Sequence, residues 1–491
     1  MIYIREMNWI LIGEIVYVTI LVMVCVRIIY ETRISSKTMS YLLLVVFLPV
    51  LGIILYFTLG INYRNRKIYT KKLVKDAETE KMLREGILRR SNKILNSGNE
   101  VLEENKALVR LLLNDELSPL TGHNKTEILL NGEGKFPRVL EVLESARHHI
   151  HMEYYIYEPD KIGTQIADIL KKKAQEGVIV RLIYDDFGSR RIRRKVVPAL
   201  REAGVLAMPF YKIKLIALAN RINYRNHRKI IVVDGKEAFV GGINVCDTYI
   251  NSDEVGKSVY WRDMHLYFAG PAVRNLQNLF LADWNFCASD NVEMSRIYFP
   301  EMEQVIQPDD RYMQVVASGP DSATPSILYS ILQAIMLADK EILITTPYFI
   351  PGESLMDILV ISAKSGVDVH IMVPEKGDSR LVNAAAQSYY LELAEAGVHI
   401  HRYTRGFVHS KTMVVDGEIS MIGSSNMDIR SFDLNFEVNA IIYDEEDAAR
   451  MREIFFEDVK HCVEIDPAEW RNRPKYIHLI ERIARLLSPL L

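Results

Sequence analysis

The chain has 491 residues, 49% hydrophobic and 25% charged, with a net charge of −3. This is enough for two or three domains with their own cores, and the near-neutral balance excludes a protein built mainly to coat nucleic acid. The four cysteines (Cys25, Cys246, Cys287 and Cys462) are scattered. They form neither a disulfide framework nor a CxxC zinc site, and they fit a reducing compartment.

The N-terminus differs in kind from the rest. Residues 9–26, WILIGEIVYVTILVMVCV, are apolar except for Glu14, and residues 41–61 carry no charge. The second stretch is about as long as a bilayer core is thick, so the two predict a transmembrane helical hairpin within residues 1–61. The first lacks a small-x-small cleavage site and so does not read as a removed signal peptide. Glu14 is costly in lipid and is expected against the partner helix or at an interface. Basic residues lie in the turn (Arg27, Arg33, Lys37) and, more densely, after the second stretch (Arg64, Arg66, Lys67, Lys71, Lys72, Lys75). The positive-inside rule then predicts a multi-pass cell-membrane protein with its globular part in the cytoplasm.

Residues 62–120 are charge-rich with leucines at helical spacing and predict a juxtamembrane helical arm, broken by Pro119 and Gly122. Beyond it the chain repeats. HIHMEYYIY (149–157) matches EILITTPYFI (341–350), AQEGVIVRLIYDD (174–186) matches AKSGVDVHIMVPE (363–375), and REAGV (201–205) matches AEAGV (394–398). Alternating strands and helices predict two similar α/β domains, 121–305 and 306–491, with helix-flanked, mixed but mainly parallel sheets packed pseudo-symmetrically. The first copy holds an additional basic and apolar insertion, FYKIKLIALANRINYR (210–225).

Each repeat closes on one motif, NHRKIIVVDGKEAFVGGIN (226–244) and VHSKTMVVDGEISMIGSSN (408–426). Residues two apart on a strand share a face, so His227 projects beside Lys229, and His409 beside Lys411. Lysine neutralises phosphate oxygens, while histidine attacks phosphorus or moves a proton. The glycines before Asn244 and Asn426 let backbone and amide approach an anion. Displacement at a phosphodiester needs a nucleophile on one side and an acid on the other, and two copies supply both. A lysine on each histidine's face repels cations, so the motif is not read as a metal site and no cofactor is expected; a chelator should leave activity intact.

The doubled motif resembles the phospholipase D superfamily. With YWRDMHLYFAGPAV, GSSNMDIRSFDLNFEVN, the terminal ARLLSPLL and the apolar N-terminus, essentially the whole chain resembles the bacterial cardiolipin synthases. The resemblance implies a catalytic set of His227, Lys229, Asp234, His409, Lys411 and Asp416, with His227 as nucleophile forming a phosphohistidine and His409 as general acid and then base. Asn244, Ser424 and Asn426 would join the lysines on the phosphate, while Gly242 stands where many members have serine. Asp263 and Glu437 would orient the histidines, and Asp234 and Asp416 are expected to serve structure. The implied reaction converts two phosphatidylglycerols to cardiolipin and glycerol. Hydrolytic phospholipase D, phosphatidylserine synthase and membrane-held nuclease are the rival activities in the superfamily, and a non-catalytic scaffold is the alternative outside it.

The expected partners are phosphatidylglycerol and anionic membrane lipids, not nucleic acid. The insertion and SRRIRRK (189–195) suit an anionic interface, although the latter reads equally well as a solvated helix face. The amphipathic C-terminal segment YIHLIERIARLLSPLL suits packing on its own domain, a homo-oligomer contact or lipid.

Overall fold

The computed structural model of the chain describes residues 9–31, 35–57, 77–115, 117–210, 224–251, 259–288, 292–293, 295–300 and 311–488. The centre of the insertion at 210–225 and the basic residues between 62 and 76 lie outside the described residues.

The first apolar stretch is one helix, Trp9–Glu31, whose segment Leu11–Tyr30 is the one helix among the described residues long and apolar enough to cross a membrane. The expected second span is not one helix. It runs as Ser35–Phe47, breaks, and resumes as Pro49–Leu55. Proline at the first position of the new helix has no N–H and clashes with the preceding turn. The chain folds back there, bringing the rings of Tyr41 and Tyr56 to 5.6 Å. Residues spaced as widely along one straight helix would be about 20 Å apart. Val24 and Ile28 of the first helix complete a small apolar cluster with Tyr41, Val45 and Tyr56.

The arm does not stand free either. Helices Ala77–Leu95, Glu100–Glu104 and Lys106–Asp115 bury Leu95, Leu102, Leu108, Val109 and Leu112 in the same core as Ile327, Ile331 and Ile342 of the second repeat. Their leucine spacing is thus a docking face, with each fully buried leucine contributing about 1.5–3 kcal/mol.

The first repeat forms β1 (Thr121–Leu130), β2 (His149–Tyr154), β3 (Ile179–Tyr184), β4 (Leu206–Pro209), β5 (Lys229–Val233), β6 (Glu237–Gly241), β7 (Tyr260–Arg262) and β8 (Met264–Ala269). The second forms β9 (Arg311–Ser318), β10 (Glu341–Thr345), β11 (Phe349–Ile350), β12 (Asp368–Pro374), β13 (His399–Tyr403), β14 (Gly406–Val408), β15 (Thr412–Val415), β16 (Ile419–Gly423), β17 (Met427–Asp428), β18 (Glu437–Tyr443) and β19 (Cys462–Glu464). One ladder of 15 strands runs β19-β13-β12-β10-β15-β16-β18-β9-β1-β8-β6-β5-β2-β3-β4. Equivalent strands β1 and β9 join the halves through a short antiparallel contact with a register shift.

The sheet is mixed, and the mainly parallel expectation is corrected. Only β2-β3-β4 and β10-β12-β13 run parallel, where helices make the crossovers. From β5 and from β15 onward the strands pair antiparallel. The cause is the Asp-Gly in each motif. Asp234 (φ 54°) and Gly235 (φ 66°), like Asp416 (φ 55°) and Gly417 (φ 72°), occupy the left-handed region, and Lys236 N and Glu418 N donate back to Val233 and Val415 carbonyls at 3.0 Å. Two central residues with positive φ make a type I′ turn, which returns the chain as a tight hairpin.

The two half-ladders also pack face to face. Ile230, Val232, Val240, Leu266 and Phe268 share one buried cluster with Val414, Ile422, Val438, Ala440 and Ile442. This inter-sheet core brings the starts of β5 and β15, and with them both motifs, to one place.

Candidate active site

Two short parallel contacts between the repeats align the site. β7 pairs with β14 so that Arg262 faces Val408, and an isolated bridge pairs Asn226 with Phe436. In each case the next residues are a histidine and a carboxylate from opposite repeats. His409 N donates to Arg262 O at 2.7 Å, and His227 N donates to Phe436 O at 2.9 Å. The side chains follow the backbone. His227 Nδ1 lies 3.0 Å from the Glu437 carboxylate and 3.1 Å from Ser424 O, and His409 Nδ1 lies 2.7 Å from Asp263 Oδ2. Each histidine is therefore oriented by the other repeat's carboxylate, and no half holds a complete pair.

Both partners of His227 Nδ1 are acceptors, so the proton sits on Nδ1 and the Nε2 lone pair is left for chemistry. Glu437 is buried and further held by Ser424 Oγ and by Asn435 Nδ2 at 3.1 Å. The lysines are nearly or fully buried: Lys229 Nζ donates to His227 O at 2.7 Å, and Lys411 Nζ lies 3.0 Å from His409 Nδ1 and also reaches His409 O.

The two pairs hold protons differently. Burial raises a carboxyl, but His227 and Lys229 outweigh it at Glu437, which is held below the usual range. At Asp263 burial wins over Lys411 and the Met264 N–H and pushes the carboxyl up to about 7. Burial lowers both histidines, and at His409 the charges of Lys411 and Lys229 push further in the same direction, whereas Glu437 opposes the drop at His227. Burial brings Lys229 down to about 7 with the repulsion of Lys411, and Lys411 down to about 8 despite Asp263 and Glu437. Two desolvated ammonium groups close enough to repel one another define a place for an anion.

The expected phosphate-binding amides lie beside the motifs. Asn244 accepts from Ile156 N at 3.2 Å and donates to Tyr249 OH at 2.8 Å. Asn426 donates to Asp428 at 3.1 Å, and its buried Oδ1 has no hydrogen-bond partner. Ser424 Oγ contacts Glu437, and its other bond is from Val438 N. Gly242, at the serine's place in the first copy, lies against Asp263, whose carboxylate a Cβ would overlap. The shorter aspartate occupies the volume that a serine side chain would need there.

Asp234 and Asp416 stand apart from these groups. Asp234 accepts the N–H groups of Arg147, His148 and His149 at 2.8–2.9 Å, and Asp416 those of Asp339, Lys340 and Glu341 at 2.8 Å. Each thus fastens its hairpin turn to the start of β2 or β10, at the strand end away from the histidines. Asp234→Ala strands three N–H groups and puts a poorly suited residue at positive φ, and we expect it to cost about 2–4 kcal/mol of stability. Thermal unfolding in detergent checks this. Asp234→Asn, which keeps an acceptor and tolerates that φ, should retain most of the stability, and folded protein of either variant should turn over normally.

Several neighbours carried no signal in the motif. Asn131 (φ 53°) clamps Asp263 from both sides: its N donates to Asp263 O at 2.8 Å and its Oδ1 accepts from Asp263 N at 3.1 Å. Buried Lys135 donates to Ile243 O at 2.7 Å and Tyr154 OH at 3.0 Å. Tyr155 lies edge-on to His227 with ring centroids 5.0 Å apart, and Tyr249, Trp261 and Phe407 surround His409 at 5.6–5.9 Å. The aromatic words YYIY and YW beside the motifs were the available hint. The cationic run at 189–195 borders the same rim, where Ser189 Oγ donates to Tyr155 O at 2.8 Å.

The family model described as cardiolipin synthase, PLD-like domain, matches residues 139–283 and 331–459, and a phospholipase D-nuclease N-terminal model matches 19–60. The chain is 40% identical to a cardiolipin synthase of Alkalihalophilus pseudofirmus over 97% of its own length and 93% of that protein. It is 40% identical to the major cardiolipin synthase of Bacillus subtilis, over 94% and 95%. Among solved structures, phosphatidylserine synthase of Haemophilus influenzae matches with a TM-score of 0.58 and 16% identity over 79% of this chain and 98% of that one, a likeness of fold. With both motifs intact across a nearly full-length match, the chain belongs to the cardiolipin synthases, phosphatidyltransferases of the phospholipase D type.

Proposed function

We propose that this chain joins two phosphatidylglycerols into cardiolipin and glycerol through a phosphatidyl-His227 intermediate. The assignment rests on the unequal surroundings of the crossed pairs, since His227 Nδ1 meets only the Glu437 carboxylate and the Ser424 carbonyl, whereas His409 Nδ1 meets both Asp263 and the Lys411 ammonium. His227 keeps a free Nε2 lone pair beside Glu437, which is held below the usual carboxylate range, whereas burial raises Asp263 beside His409 to about 7, so that this pair holds a proton more readily. His227 Nε2 attacks the first phosphorus, the bond to the glycerol oxygen breaks, and His409 protonates that oxygen. The terminal hydroxyl of the second phosphatidylglycerol then gives its proton to His409 and its oxygen to phosphorus, and the His227–phosphorus bond breaks. A bound phosphate offsets the lysine charges that depress His409, so the acid gains strength of binding for its proton once substrate is present. Lys229, Lys411, Asn244, Asn426 and Ser424 are assigned to the phosphate.

Domains are assigned as 121–305 and 306–491, with the arm belonging to the second by its packing. Membrane attachment runs through Leu11–Tyr30. The basic residues that follow Leu11–Tyr30 in the sequence, Arg33, Lys37 and those after 61, support a cytoplasmic catalytic part by the positive-inside rule. Helix Lys475–Leu486 packs one face on helix Arg380–Glu395 and exposes Tyr476, Leu479, Ile480, Ile483 and Leu486 beside Lys475, Arg482 and Arg485. That stripe is suited to lie on an anionic leaflet.

Membrane-reconstituted enzyme with phosphatidylglycerol as the only phospholipid should release cardiolipin and glycerol one for one. Phosphatidic acid with glycerol would instead mean that water is the acceptor. Activity should follow a bell in pH. In kcat/KM the alkaline limb should fall through about 7–8, because the depressed lysines are cationic below those values and lose their charge above them. In kcat that limb should move upward, since bound phosphate stabilises both ammonium groups. The acid limb should lie below the ordinary histidine value, because His227 is depressed and must be neutral to attack. A flat kcat/KM from pH 5 to 9 would sink this reading.

A further inference from the structure

A second cluster of histidines lies at the opposite ends of the strands from the catalytic pair. The catalytic histidines stand beyond the C-terminal ends of β2 and β10, whereas Asp368 opens β12 and pairs with Glu341 at the start of β10. Asp368 and His370 share one face of β12, and His399 and His401 share the same face of β13, because His370 and His399 are register partners. Glu464 on β19 is the register partner of His401.

The ligand atoms converge. His370 Nε2 lies 3.0 Å and His399 Nε2 3.6 Å from Asp368 Oδ1, and all three atoms fall within 4.8 Å of one another. His370 Nε2 is buried and makes no hydrogen bond, so its approach to Asp368 is off the N–H axis, as for atoms aimed at a shared point. Tetrahedral ligands at about 2.0–2.1 Å from zinc are about 3.3–3.4 Å apart, a spacing the two distances bracket.

The other nitrogen of each ring is already engaged. His399 Nδ1 meets Glu464 Oε1 at 2.6 Å, and His370 Nδ1 meets His401 Nε2 at 2.9 Å. His370 and His399 are stacked 4.7 Å apart at 17°, and the buried His401 packs on Phe455. Holding Nδ1 of a histidine with an outer carboxylate or ring nitrogen turns Nε2 toward a metal and strengthens it as a ligand. Asp368 is 54% exposed and His399 44%, which leaves an entry path and room for a water as fourth ligand.

We propose that Asp368, His370 and His399 bind one divalent transition-metal ion of the zinc type, cross-linking β12 to β13 and, through Glu464, to β19. Two imidazoles and one carboxylate suit zinc, whereas magnesium and calcium demand all-oxygen sets. The site is structural and distant from the phosphate chemistry, so turnover does not depend on it.

The test uses untagged full-length protein in detergent, stripped with chelator, freed of it, and titrated with zinc chloride by calorimetry. One zinc per chain is expected. His370→Ala/His399→Ala should weaken binding at least 100-fold, and Glu464→Gln about 10–100-fold with the stoichiometry retained. Cobalt(II) in the wild-type protein should give intense tetrahedral visible absorption that the double variant lacks. Preserved turnover of phosphatidylglycerol shows that the variants are folded. No stoichiometric zinc binding in the wild type, or binding unchanged in the double variant, would overturn the site; an octahedral, weak cobalt spectrum would overturn the assigned ligand set.

Discussion

His227→Ala eliminates cardiolipin formation and leaves no covalent intermediate, whereas His409→Ala leaves the nucleophile in place and slows both proton transfers. Loss of the nucleophile removes the covalent route entirely, and the fall should exceed about 10⁴-fold, beyond the 10²–10⁴ typical of a lost acid–base group. The discriminating readout is the intact mass of protein quenched from phosphatidylglycerol vesicles. In His409→Ala the first step has lost its acid, yet the second has lost its base, so a phosphatidyl adduct that forms slowly also persists. Its adduct should map to His227. An adduct on His409 in His227→Ala would reverse the roles and discredit the argument from unequal protonation. Full activity in His227→Ala would remove His227 from the covalent route.

Breaking the crossed carboxylates should be the next most damaging change, and the two should not behave alike. Glu437→Gln removes the charge that fixes the His227 tautomer and supports the histidine's basicity; its amide can donate to Nδ1 and so favours the wrong tautomer. A loss of about 10²–10⁴ in kcat is expected with KM little changed, because the phosphate ligands remain. Asp263→Asn acts on a group already raised to about 7 by burial, so the charge it deletes is only partly present near neutrality. Its effect should be smaller at pH 6 than at pH 8, while the Glu437→Gln deficit stays constant over that range. Equal, pH-independent losses for both variants would show that the pairs are protonated alike and would remove the basis for calling one acid and the other base.

Much of the site was readable because its chemistry is local in sequence. His-x-Lys on a strand places both side chains on one face whatever the fold does, and the duplication announces two such faces. The Asp-Gly turn is equally local, and it returns the chain as an antiparallel hairpin in each repeat, which is why the mixed sheet is less parallel than the strand–helix alternation implies. Pro49 likewise stood in plain view within an apolar run whose overall hydropathy outweighed it. The alternation of strands and helices in the repeats marked an α/β protein correctly, but it says nothing of partners joined by hairpins.

The sequence by itself determined the reacting groups, their number and their strand-borne geometry, since these follow from residue identity and a two-residue period. It also determined that an apolar N-terminal helix precedes an otherwise ordinary globular chain. Only the tertiary structure decided that each histidine takes its carboxylate from the other repeat, because Arg262–Val408 and Asn226–Phe436 pair across more than a hundred residues of chain. It alone decided that burial would raise Asp263 while His227 and Lys229 hold Glu437 down. Protonation follows from desolvation and from charges brought close by packing, and neither is a property of a residue's neighbours along the chain.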